Sequence, residues 1–295
     1  LYEVFQASRT VARSCPGVKI LLGGIAATGF AREIMNEWDH VHFLISGEAE
    51  SALGSLIHSG FEAPEEIPNL SWRDETGHPR HNPVSYFASP GRLDDFSHVN
   101  IRLMRHHEYY RGRYFFDARS ESFSQLASSR RVWYLYIGRG CTVDCAYCGG
   151  GRSAHKKLSN RPRISVRPPE SVFRDMQILS GDHGIRTFYT CFHPPGMDRS
   201  YYPQLFSLVK GELDASMIFE YYSSIPDRDF IRAFADTFDT GGSQLIMSPT
   251  AFTEEARARM CPSALSDDAF VKFLEDTEHT GLETVFFYSP LPGEN

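Results

Sequence analysis

Cys141, Cys145 and Cys148 fall within eight residues at the spacing Cys-x3-Cys-x2-Cys, and Gly149, Gly150 and Gly151 follow at once. The loop comes directly after an apolar run, residues 132–137, that reads as a buried strand. Such spacing lets one short loop point three thiolates at a common centre. Soft thiolates select iron–sulfur clusters or zinc over hard cations. Iron–sulfur clusters usually take four cysteines, so a four-iron cluster on three leaves one iron open for a non-protein ligand. Structural zinc needs a fourth side chain instead. His155, Cys191 and His193 are the candidates for it, and none stands at a zinc-finger spacing. On the residues alone both metals stay open.

The rest of the composition narrows the setting. A chain of 295 residues fits about two domains. Six cysteines, three of them clustered, do not form a disulfide framework, and a labile cluster needs reducing surroundings. No apolar run reaches the roughly 18 residues of a membrane span, and no charged-then-apolar leader opens the chain. Cytoplasm, without a membrane partner, is the expectation. By pattern the chain opens in mid-helix at Leu1 and stops at Asn295 just after a strand, which reads as an internal piece of a longer protein.

The net charge of −7 is unevenly spread. Residues 100–167 hold 14 Lys and Arg against 4 Asp and Glu, and the segment brackets the cysteine loop. It reads either as a solvated linker or as a positive mouth for an anionic ligand. Tyr109, Tyr110, Tyr114, Phe115 and Phe116 interleave with arginines there, but the acidic whole argues against a nucleic-acid partner.

With an aromatic residue, Tyr147, before its third cysteine, the motif resembles the signature of the radical S-adenosylmethionine (SAM) enzymes. The resemblance implies that Cys141, Cys145 and Cys148 hold a 4Fe-4S cluster whose open iron is chelated by SAM. Reductive cleavage of SAM then gives methionine and a 5′-deoxyadenosyl radical. It also implies that Tyr147 packs beside the SAM adenine and that Gly149, Gly150 and Gly151 help to seat SAM.

Residues 132–295 repeat a strand–helix unit five times. Strands are expected at 132–137, 186–191, 217–222, 244–248 and 284–288. The helices between them include one opened by Pro168-Pro169 and one capped by Ser266. Five repeats fit part of a parallel β/α barrel. The resemblance makes it a partial (β/α)6 barrel, because Ser289-Pro290-Leu291-Pro292-Gly293-Glu294 resembles the family's motif near its fifth strand. Ligands gather at the carboxyl ends of such strands, which nominates Cys191, His193, Glu220, Ser248, Tyr288 and Ser289. By resemblance, Glu220 and Ser248 contact SAM. A buried thiol at Cys191 reads as either a hydrogen donor or an apolar group.

Upstream, apolar strands at 18–22 and 41–45 alternate with helices at 31–38 and 51–58, which means a parallel α/β sheet. Gly23 and Gly24 follow the first strand; Gly47 and Glu48 follow the second. Any tight strand–helix turn uses such glycines. Their order also resembles the second half of the Rossmann-like cobalamin-binding domain that precedes many radical SAM domains. The resemblance places Gly23, Gly24, Gly47 and Glu48 beside the cobalamin. The Asp-x-His-x-x-Gly loop of that family does not occur here.

The division expected is therefore 1–60 for the partial cobalamin-binding-like domain, 61–131 for a connector and 132–295 for the partial barrel. The activity implied is a radical SAM methyltransferase, using cobalamin to methylate an unactivated carbon. The substrate would be a small or natural-product-like molecule, and the electron donor a flavodoxin or ferredoxin. Two alternatives remain: radical cyclisation, rearrangement or oxidation without a role for cobalamin, and a non-catalytic zinc or iron–sulfur module. Methylthiolation is disfavoured, since only Cys15 lies upstream of the motif.

Overall fold

The structure is a computed structural model and describes residues 2–107, 132–222, 224–249, 251–261 and 264–288. The tyrosines and phenylalanines at 109–116 and the segment 289–294 lie outside the described residues. The chain divides into two units, Leu1–Ser89 with Cys148–Ile164, and Pro90–Tyr147 with Ser165–Asn295.

The first unit is built on a short four-stranded sheet. Helix α1 (Tyr2–Ser14) leads to β1 (Leu21–Leu22), and α2 (Ile25–Gly29) and α3 (Ala31–Glu37) lead to β2 (Phe43–Ile45). Helix α4 (Glu50–His58) precedes the hairpin of β3 (Leu70–Arg73) and β4 (Pro79–His81). β1 and β2 are parallel; β3 and β4 add antiparallel to them. Alternate residues serve opposite faces. Leu44 packs with Phe5, Ile34 and Met35 on one side, whereas Phe43 and Ile45 pack with Ala52, Leu56 and Leu70 on the other. Arg73 from β3 donates to the carbonyls of Met35, Trp38 and Val41. The Met35 carbonyl lies in the last turn of α3, where carbonyls lack partners within the helix. Helix α5 (Arg152–Ser159) belongs to this unit as well.

In the second unit, β5 (Val132–Tyr134) opens a parallel sheet. A two-stranded ribbon of β6 (Gly138–Arg139) and β7 (Ser165–Val166) precedes α6 (Pro169–His183). Then come β8 (Thr187–Thr190), α7 (Tyr201–Val209), β9 (Ser216–Tyr221), α8 (Arg228–Thr237) and β10 (Gln244–Met247). Helices α9 (Glu254–Met260) and α10 (Asp267–Thr277) lead to β11 (Glu283–Phe286). The spatial order β5-β8-β9-β10-β11 is the chain order, and every pairing is parallel. This is the α/β architecture of the partial barrel expected from the sequence. Its inner face is floored by Val132, Ile218 and Ile246, with Tyr189 and Val285 against them. On the outer face Phe219 and Tyr221 meet Tyr202 and Phe230 edge-on. The side chains of Asp227, Thr253 and Ser266 accept hydrogen bonds at the starts of α8, α9 and α10. No described helix is long and apolar enough to cross a membrane.

The structure differs from expectation in three places. The hairpin at 70–81 pairs with β2, so residues 61–89 join the first unit, and so does 148–164. The divisions expected after residues 60 and 131 are therefore not where the fold divides. The strand expected at 132–137 leaves the sheet after Tyr134. Its continuation forms the ribbon instead, where a Cβ on Gly138 would stand 2.4 Å from the Ser165 carbonyl oxygen. Last, α2 and α5 are helices in stretches to which the sequence pattern assigns no element. Gly24 and Gly151 serve as their N-caps, and Asn160 ends α5 in the left-handed conformation.

Ile218→Ala removes a fully buried inner-face side chain. It is expected to lower the unfolding free energy by about 2–5 kcal/mol in urea titrations.

Candidate active site

The cysteine loop begins at Gly140, whose φ of +94° suits a residue without a Cβ. Two bonds hold its course: the Thr142 hydroxyl donates to the Pro195 carbonyl, and the Ala146 amide donates to the Met260 carbonyl at 2.8 Å. Cys141 and Cys145 are half-buried and Cys148 is exposed; all three are free thiols. Burial, and then contact with Cys261, pushes the Cys145 thiol up to about 12. The boundary between the units falls inside the motif, with Cys148 in the first unit. There the Gly150 amide donates to Cys148 Sγ at 3.3 Å. A Cβ on Gly150 would lie 3.7 Å from that sulfur and 4.0 Å from His155 Nε2. Tyr147 is half exposed.

Among the described residues no three His, Cys, Asp or Glu side chains are gathered as metal ligands. The Cys145 sulfur turns to Cys261 instead. The donors nevertheless fit an iron–sulfur cluster by their chemistry. They are three unbridged thiols on one loop, and an amide already points at one of the sulfurs.

The strand ends of the second unit carry a polar cluster. Glu220 on β9 accepts from the Tyr189 hydroxyl on β8 and from Ser248 just after β10. Each carboxylate oxygen therefore has a donor although the residue is buried. Cys191 Sγ lies 3.8 Å from the Tyr134 hydroxyl of β5. Burial raises the pKa values of Tyr134, Tyr189 and Cys191, which keeps all three protonated near neutrality. The structure thus brings together Glu220, Ser248 and Cys191, and adds two tyrosines that the sequence reading missed. Strand alternation is the signal for them: Tyr134 and Tyr189 are adjacent in register. His193, by contrast, packs among the outer-face rings of Tyr202, Phe219 and Tyr221 and bonds Ser224 at 2.9 Å.

In the first unit, Gly24 and Gly47 both have positive φ. Thr28 ties them together, donating to the Gly24 carbonyl and accepting from the Gly47 amide, each at 2.9 Å. A Cβ on Gly47 would come 3.0 Å from Cα of Ser159, so close approach of α5 also selects glycine. Gly23 makes only ordinary contact with the Ile45 carbonyl. Beside Thr28 and Ser46 opens a cleft of about 320 Å³, lined by Arg32, Ser71, His81 and Lys157 among others.

Glu48 points elsewhere. Its carboxylate accepts from Arg161 at 2.6 Å and from the Ala88 amide at 2.8 Å, with Glu48 8% and Arg161 1% exposed. Arg161 donates in turn to the Ala88 carbonyl. Glu48 is thus committed to a buried ion pair that fastens the 148–164 segment to this unit.

The radical SAM superfamily profile matches residues 135–295, more than half of the chain. The chain belongs to the radical SAM superfamily, whose cofactors are a 4Fe-4S cluster and SAM. No curated protein sequence matches it. Among solved structures it resembles TsrM from Kitasatospora setae, a radical S-adenosylmethionine methyltransferase with tryptophan substrate and a SAM analogue bound. That match has a TM-score of 0.67 at 15% identity, over 99% of this chain and 54% of TsrM. TsrM with cobalamin and its [4Fe-4S] cluster bound matches at 0.65 and 13% identity, over 96% and 52%. OxsB, a cobalamin-dependent S-adenosylmethionine radical enzyme with aqua-cobalamin bound, matches at 0.63 and 11%, over 97% of this chain and 38% of OxsB. At these identities the likeness is one of fold. The chain spans about half the length of TsrM and less of OxsB.

Glu48→Ala strands the buried Arg161 charge and is expected to cost about 3–5 kcal/mol of stability in urea titrations. Denaturant midpoints with and without added corrinoid check it, and the loss is expected in both.

Proposed function

We propose that the protein containing this chain is a cobalamin-dependent radical SAM methyltransferase acting on an unactivated carbon of a small or natural-product-like substrate. The observation that supports this reading is that 99% of the chain, and so both units, matches the fold of TsrM and 97% of it matches OxsB. When bound, the cluster and SAM supply a 5′-deoxyadenosyl radical.

The chain's own residues do the positioning. Cys141, Cys145 and Cys148 hold the cluster. Tyr147, half exposed, offers a ring face to the SAM adenine, and Gly149, with open space where a Cβ would stand, leaves room for SAM at the start of the Gly149, Gly150 and Gly151 run. Tyr189 and Ser248 fix the Glu220 carboxylate at the strand ends, where it can receive the amino or hydroxyl groups of SAM. The Gly24–Thr28–Gly47 turn brings bare backbone to the cleft edge, where the cobalamin tail can approach. Arg32, His81 and Lys157 give that cleft donors for a phosphate. Glu48 has no part in this contact. A flavodoxin or ferredoxin in the reducing cytoplasm would supply the electron, and nucleic acid is not a partner in this reading.

A second reading keeps the radical step without cobalamin. The commitment of Glu48 to Arg161 favours it, because one of the four residues nominated for cobalamin is not free to bind it.

The experiment uses the full-length protein, purified without oxygen, reconstituted with iron and sulfide, and given SAM, a strong reductant and hydroxocobalamin. The proposal predicts 5′-deoxyadenosine, abolished in Cys145→Ala, together with about one bound corrinoid per chain. Deoxyadenosine without bound corrinoid would select the second reading. Neither product from iron-loaded protein would reject both.

A further inference from the structure

Cys261 is separated from the cysteine motif by more than a hundred residues, yet its sulfur lies 3.3 Å from Cys145 Sγ. Its position is rigidly built. Cys261 follows the last turn of α9 in extended conformation, and its amide donates to the Arg257 carbonyl at 2.9 Å. Arg257, itself buried, spreads its guanidinium over the carbonyls of Phe252 and Leu265 and the Asp267 carboxylate, which fixes the chain on both sides of Cys261. The preceding carbonyl, that of Met260, receives the Ala146 amide. The end of α9 is thereby clamped to the cysteine loop by one backbone bond and one sulfur–sulfur contact. Cys261 is 4% exposed.

We propose that Cys261 is a positioning residue that donates its S–H to the sulfur of Cys145 when Cys145 is an iron-bound thiolate, and so raises the reduction potential of the cluster. The inference rests on Cys145 being a cluster ligand. In the free-thiol geometry Cys145 acts as the donor and Cys261 as the acceptor. On iron, Cys145 has lost its proton and can only accept, so the pair must reverse. A thiol is a weak donor to a neutral partner, but the bond strengthens when the acceptor carries charge and water is excluded. Hydrogen bonds to ligand sulfurs are among the features that set cluster potentials. Reduction adds negative charge, so a donor aimed at the sulfur favours the reduced form.

The distance separates this role from direct ligation. Two thiolates on one tetrahedral metal, each about 2.3 Å from it, stand roughly 3.8 Å apart. At 3.3 Å the sulfurs of Cys145 and Cys261 are closer than that, the spacing of a hydrogen-bonded pair rather than of two ligands on one iron.

The test compares full-length wild type, Cys261→Ala and Cys261→Ser, reconstituted anaerobically. Iron and sulfide are assayed, and the cluster potential is titrated by electron paramagnetic resonance. The proposal predicts equal iron and sulfide in all three proteins. It predicts a more negative potential for Cys261→Ala, and for Cys261→Ser, a stronger donor, a potential above wild type. If the alanine variant does not fold, the rise in the serine variant carries the test. Potentials unchanged from wild type would overturn the proposal, as would loss of iron in both variants, which would make Cys261 a ligand. Wild type that takes up no iron would remove the cluster assignment itself, and this inference with it.

Discussion

Parallel strands cannot be joined by a tight turn, and that constraint organises the catalytic half of the chain. Each strand must be followed by a crossover that carries the chain back to the end of the sheet where that strand began. All five carboxyl ends therefore emerge on one side. Tyr134, Cys191, Glu220 and Ser248 come from four different strands, yet they meet because the chain order and the sheet order coincide. Alternation does the sorting. Glu220 faces inward with Tyr189, while its neighbour Tyr221 faces the helices with His193. The cysteine loop follows the first strand of the same sheet and is fastened by the loop after β8 and the end of α9.

Much of this was legible in the sequence because its signals are local. The cysteine spacing, the five apolar runs and the Ser266 cap each lie within a few residues, and the structure reproduces the runs and the cap to within a few positions. The strand-end rule nominates Glu220 and Ser248, and the structure bonds the two to each other. What stayed hidden depends on distant pairings. Nothing near Cys261 marks it as a neighbour of Cys145. Nothing near Glu48 announces Arg161, more than a hundred residues away, so a carboxylate in a turn that resembles a cofactor loop was read as a contact. His193 was nominated by its position after a strand, but alternation sent it to the other face.

In the first unit a bare-backbone turn and a buried ion pair stand side by side. Gly24 and Gly47 keep the backbone bare where a ligand can approach, and Thr28 holds the two together. The residue after Gly47 serves stability instead. Its carboxylate neutralises an arginine so deeply buried that, without this partner, it would carry an uncompensated charge. Family membership rests on residues 135–295, and the cobalamin proposal rests on the fold of this smaller unit.

The central claim is that the Cys141, Cys145 and Cys148 loop carries a 4Fe-4S cluster. The direct measurement is metal and acid-labile sulfide analysis, with Mössbauer spectroscopy, of the full-length protein isolated without oxygen. The account predicts about four irons and four sulfides per chain. It also predicts that SAM perturbs the spectrum of one iron site. One tightly bound zinc with no sulfide would contradict it.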